Sequence, residues 1–135
     1  QNLQIILEHT GLSRKEQKER ADVLLEDFGL TRLEKSHAMH LSGGERRRLE
    51  IARALIREPK FVLLDEPFSQ IAPLHVETLQ TLIRQEKMAK GILLTDHMYR
   101  HVTGIADRLY VMADGQAYPC ANDEELVRRG YLRRM

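Results

Sequence analysis

Two short apolar runs, each ending in residues that can do chemistry, constrain this chain more than any other feature. Phe61 to Leu64 runs into Asp65, Glu66 and Pro67, and Ile92 to Leu94 runs into Thr95, Asp96 and His97. Each run has strand length, and an unbroken apolar run ended by charge predicts a strand buried on both faces. Between them, Pro73 suits the first turn of a helix in which Val76, Leu79, Leu82 and Ile83 share one face. Strand, helix, strand with a connection of this length predicts a right-handed parallel crossover. Both strands then end at one rim, where α/β sheets bind ligands, and that rim carries Asp65, Glu66 and His97.

The same periodicity organises the rest of the chain. Leu3, Ile6 and Leu7 recur at helical spacing, and a turn follows at Thr10 to Leu12. Ser13 with Glu16 reads as a capping box, after which Ala21, Leu24, Leu25 and Phe28 mark one buried face that Gly29 ends. Ser42 with Glu45 repeats the box ahead of Leu49, Ala52, Leu55 and Ile56, in a helix that must stop by Pro59. Past the second strand, a helix is expected through about Ala106, then a hairpin of Leu109 to Met112 and Gln116 to Tyr118 around Asp114-Gly115. Asp123 to Glu125 open a last helix that Arg128 and Arg129 close, in keeping with its dipole.

Composition narrows the function classes. With 21 basic and 20 acidic residues, the net charge of +1 creates no field that draws the chain to nucleic acid or anionic lipid. The apolar runs are far shorter than the roughly 20 residues needed to cross a bilayer, so direct membrane insertion is not expected. The single Cys120 cannot form an intramolecular disulfide; it reads as a packed or loop residue in a cytoplasmic setting. His37 with His40 and His97 with His101 are weak metal signals, since no third ligand stands beside either pair. Arg46, Arg47 and Arg48 read as a solvated helix face, offset by Glu45 and Glu50.

Four segments stand in a fixed order: LSGGE at 41–45, FVLLDEP at 61–67, a turn at 68–73 and LLTDH at 93–97. In that order, with LSGGERRRLEIARAL followed by DEP, the chain resembles the ABC-type ATPases from the helix at 13–28 onward. Within that family it is most similar to the ATPases of lipopolysaccharide export and branched-chain amino-acid import. The resemblance implies an α/β chain with part of a P-loop NTPase fold. Residues 1–58 would be the helical signature subdomain and residues 59–135 the carboxyl-terminal half of a RecA-like core, with a β-hairpin and helix at its end. It implies ATP and Mg²⁺ as ligands, a second ATPase subunit in a homodimer, and permease subunits that hold the protein at the inner face of the cell membrane.

Physics supports the site residues that the resemblance carries over. Ser42, Gly43, Gly44 and Glu45 start a helix, where free backbone N–H groups and the positive dipole end favour a phosphate; in the family this segment meets the γ-phosphate held by the other subunit. Asp65 is expected to hold a water of the Mg²⁺ shell, Glu66 to take a proton from the attacking water, and His97 to act as the switch histidine.

Two departures stand out. A phosphate-binding loop needs a glycine-lysine pair, yet each of the six lysines follows Arg14, Gln17, Glu34, Pro59, Glu86 or Ala89. The chain opens at Gln1 inside an apolar-periodic segment, so it reads as the carboxyl-terminal part of a longer polypeptide, inactive alone and prone to self-association through strand surface stripped of its neighbours. In the turn after Pro67, Ala72 stands where the family usually has an aspartate, which puts communication between the two ATP sites in doubt. The favoured reading is a transporter ATPase. A soluble ABC ATPase of translation or DNA repair and a non-catalytic module that lends only its signature helix are the alternatives.

Overall fold

Local capping fixes where the two long amino-terminal helices begin. In the computed structural model, which describes residues 2–8 and 10–130, α1 (Asn2–Leu7) leads to α2 (Arg14–Asp27), short 3₁₀ turns at Thr31–Leu33 and Ala38–His40, and α3 (Gly43–Leu55). Gln1, His9 and positions 131–135, which the ranges 1–58 and 59–135 include, lie outside the described residues. Ser13 caps α2 and Ser42 caps α3, each through a complete box in which a glutamate reaches back to the cap backbone. Gly29 ends α2 with φ +62°, a left-handed conformation that a side chain would strain.

The second half opens with β1 (Phe61–Asp65), crosses through α4 (Pro73–Glu86) and returns in β2 (Gly91–Thr95). These strands pair in parallel, with Phe61 opposite Gly91, Leu63 opposite Leu93 and Asp65 opposite Thr95. After α5 (Tyr99–Thr103), β3 (Leu109–Ala113) and β4 (Gln116–Cys120) form an antiparallel hairpin, and α6 (Asp123–Arg128) follows. Asp114 and Gly115 both have positive φ, 51° and 74°, which a two-residue type I′ turn requires.

One apolar cluster joins both halves. Leu7, Phe28, Leu30 and Ile56 meet Val62, Leu64, Phe68 and Leu79 in it, and Ile105 belongs to it as well. Burying one such side chain is worth about 1.5–3 kcal/mol, so α3 and the parallel sheet are held by a shared core. Val111, Cys120 and Leu126 make a smaller cluster beneath the hairpin, which places Cys120 among packed residues.

Three expectations need correction. β1 is buried on one face only: Val62 and Leu64 point into the core, while Phe61 is 78% and Leu63 75% exposed, because no described element covers the other face. The ring of Phe61 instead lies over Gly91, where an added Cβ would sit 2.3 Å from its Cε1. The arginine run is not a uniformly solvated face. Arg48 is 5% exposed, on the side of α3 that carries Ala52 and Leu55, and its Nε has no hydrogen-bond partner; burial pushes its pKa down, against the pull of the Glu45 carboxylate. Finally, α5 stops at Thr103, short of Ala106: Gly104 caps it with a helical backbone, and the Ile105 and Ala106 N–H groups both close on the Val102 carbonyl at 3.0 Å.

Candidate functional site

The tip of α3 is built by its own first turn. The Ser42 hydroxyl accepts from the Glu45 N–H at 3.3 Å and donates to Glu45 Oε2 at 2.8 Å, and the same carboxylate oxygen takes the Ser42 backbone N–H at 2.9 Å. Arg32 adds a bond from Nη2 to Glu45 Oε1 at 3.3 Å. These contacts hold the Glu45 carboxyl below the ordinary glutamate range, the Ser42 backbone N–H first among them, with the hydroxyl and Arg32 adding to it. The Gly43 and Gly44 N–H groups belong to the first helical turn and have no intrahelical acceptor, as an anion site at a helix start requires.

Both glycines answer to a neighbour as well. A Cβ on Gly43 would fall 2.4 Å from Gln70 Oε1, and one on Gly44 would fall 3.0 Å from the Gln70 carbonyl oxygen. The turn at 68–72 therefore presses against the tip of α3 within the same chain, and Gln70 has a left-handed φ of 61° there. That contact was not legible in the sequence, since nothing local ties residue 70 to residue 43.

At the sheet rim the chain gathers the expected acids and histidine. Asp65 ends β1 on the uncovered face and accepts a hydrogen bond from the Thr95 hydroxyl at 2.5 Å. Glu66 follows in a left-handed conformation, φ 47°, with its N–H donating to the Thr95 carbonyl at 2.7 Å. A non-glycine residue held there is strained, a feature concentrated at functional positions. His97 Nδ1 lies 3.3 Å from Glu66 Oε1, and both side chains are exposed, so the pair stands open to water. Asp65, Glu66 and His97 thus share one rim.

Asp96, between the two β2-end residues of interest, was missed by sequence reasoning. Its side chain is fully buried; Oδ2 accepts from the Phe68 N–H at 3.1 Å and Oδ1 from the Met98 N–H at 2.8 Å. The bond to Met98 is an Asx turn, a local pattern that aspartate favours and that could have flagged it. His37 and His40 meet edge-on, 6.0 Å between centroids, and no group of three ligand-type side chains able to hold a metal occurs among the described residues.

A family model described as ABC transporter matches residues 1–69, a stretch holding the α3 tip, β1 and the first residues of the turn against it. The chain belongs to the ABC transporter ATPase family. It is 43% identical over 135 residues to a probable ABC transporter ATP-binding protein of Azorhizobium caulinodans, covering 99% of this chain and 48% of that relative. It is 43% identical over 127 residues to the lipopolysaccharide export system ATP-binding protein LptB of Acidithiobacillus ferridurans, covering 93% of this chain and 53% of the relative. A solved ATP-binding subunit of an ABC transporter superposes with a TM-score of 0.77 at 27% identity, covering 96% of this chain and 55% of that one. The chain thus spans about half the length of the curated relatives it matches, and its fold is that of an ABC ATPase. No helix among the described residues is long and apolar enough to cross a membrane.

Proposed function

We propose that this ABC-family chain supplies the signature helix and the hydrolytic residues of an ATP-hydrolysing subunit that energises a membrane transporter. The observation that carries the reading is the 3.3 Å approach of His97 Nδ1 to Glu66 Oε1 beside Asp65, on a strained, solvent-open rim. Glu66 is the general base: its carboxylate can take the proton of an attacking water, and His97 orients the pair and can contact the phosphate that leaves. Asp65 and the Thr95 hydroxyl offer the hard oxygen donors that suit Mg²⁺; when bound, the ion neutralises phosphate charge. Ser42, Gly43, Gly44 and Glu45 would meet the γ-phosphate of a nucleotide on a second subunit, through the N–H groups at the α3 tip.

Residues 1–58 act in this reading as the signature subdomain and residues 59–135 as part of the catalytic core, sharing the apolar cluster described above. The chain has no glycine-lysine pair. Hydrolysis accordingly needs a phosphate-binding loop from further sequence, and the 135 residues alone bind Mg-ATP weakly. A homodimeric arrangement with permease subunits at the cytoplasmic face of the membrane follows from the same reading. Relatives named for lipopolysaccharide export support membrane transport over a soluble role in translation or repair.

The test is Glu66→Gln in the polypeptide that joins this sequence to a phosphate-binding loop. We expect kcat to fall by about 10²–10⁴-fold with ATP binding retained, the range for loss of a general base. Unchanged turnover would remove Glu66 from the chemistry and favour the non-catalytic module.

A further inference from the structure

We propose that Asp96 is a positioning residue that holds Glu66 and His97 in register, a role that rests on reading those two as the hydrolytic pair. The Glu66 side chain is 51% exposed and that of His97 is 64% exposed, so the backbone on either side contributes to their separation. Upstream, the Glu66 N–H is tied to the Thr95 carbonyl. Downstream, the chain passes through buried Pro67 to Phe68, whose N–H is tied to Asp96 Oδ2 at 3.1 Å. The other oxygen of the same carboxylate takes the Met98 N–H at 2.8 Å, one residue beyond His97.

One fully buried carboxylate therefore bolts the segment after Glu66 to the segment around His97. Hydrogen bonds to an ionised, buried acceptor are the stronger kind, and a buried carboxylate that loses a donor is left uncompensated, so the clamp resists partial opening. Asp96 Oδ1 also lies 3.8 Å from His97 Nδ1, close enough to favour the ring orientation that faces Glu66 but too far to replace the Glu66 contact. With its side chain fully buried and each oxygen taken by a backbone N–H, Asp96 acts through the two residues it holds.

Two measurements test this. In the 135-residue chain, Asp96→Ala should speed amide hydrogen exchange at Phe68 and Met98 by about tenfold or more, the loss expected for a charge-assisted bond. In the phosphate-loop-bearing polypeptide, the same change should lower kcat by about tenfold to a hundredfold, the cost of an ångström-scale misplacement, while KM for Mg-ATP stays within about twofold. Asp96→Asn, whose amide oxygen keeps one acceptor, should fall between wild type and alanine in both readouts, and it decides the matter if the alanine variant does not fold. Unchanged exchange at Phe68, or lost protection with kcat intact, would overturn the proposal. Full turnover in Glu66→Gln would instead overturn the hydrolytic reading, leaving the exchange result to stand on its own.

Discussion

Gly44→Ala should destabilise the chain even though alanine is the better helix former. The new Cβ would lie 3.0 Å from the Gln70 carbonyl oxygen and 3.8 Å from Ile71 Cα. Those are backbone atoms, held by a left-handed residue 70 and by the anchoring of Phe68 to Asp96, so they cannot swing aside. Forcing an extra methyl against a fixed wall costs about 1–3 kcal/mol, and the gain in helix propensity returns at most about 1 kcal/mol. The net loss is about 1 kcal/mol. Gly43→Ala is the internal control, because its Cβ meets the Gln70 side-chain oxygen at 2.4 Å, the far end of a flexible, exposed side chain. Rotating that amide away costs little, so Gly43→Ala should match or slightly exceed wild-type stability. Urea unfolding of both variants, compared by midpoint at equal m-value, reads the difference directly. A Gly44→Ala midpoint equal to or above that of Gly43→Ala would refute the claim that Gln70 is a rigid neighbour of the signature.

Ala72 caps α4 with an extended backbone and no side-chain bond, so Ala72→Asp should add a cap worth about 1 kcal/mol, seen as a higher urea midpoint, and should change ATPase cooperativity in the phosphate-loop-bearing polypeptide. The Glu45 carboxyl is held low in the folded state, so its stabilisation is complete above the ordinary glutamate value of about 4.3 and is lost as pH falls through the lower folded value. Wild type should therefore exceed Glu45→Gln in stability at pH 7 by a margin that shrinks toward pH 3, and a margin independent of pH would count against the box. The uncovered face of Phe61, Leu63 and Leu93 is apolar enough to bind a second copy, so light scattering should show concentration-dependent association that Leu63→Glu weakens.

Sequence alone revealed most of what is local, the Asx turn at Asp96 excepted. Both capping boxes, the Asp114-Gly115 turn and the two strand ends with Asp65, Glu66 and His97 depend on neighbours a few residues apart, and each lies where spacing put it. The second face of β1 was not legible, because an apolar run says that a strand can be buried twice and not whether another layer is present. Arg48 misled for a related reason. Helical spacing put it on the face of Ala52 and Leu55, and its charge argued for solvent; the core face won, leaving Nε unpaired.

What sequence could not supply is where the turn at 67–72 is anchored, since the two contacts that fix it to other elements are distant in the chain. Its Phe68 N–H is fixed to Asp96 beside His97, and its Gln70 carbonyl lies against Gly44 at the α3 tip. A shift of α3 along its axis would therefore press on Gln70, two residues from Phe68. The α3 tip and the segments carrying Glu66 and His97 are in this way joined inside one chain, by contacts that do not depend on an acid at position 72. If that joint carries the signal, Ala72 removes a charge from it but leaves its lever intact.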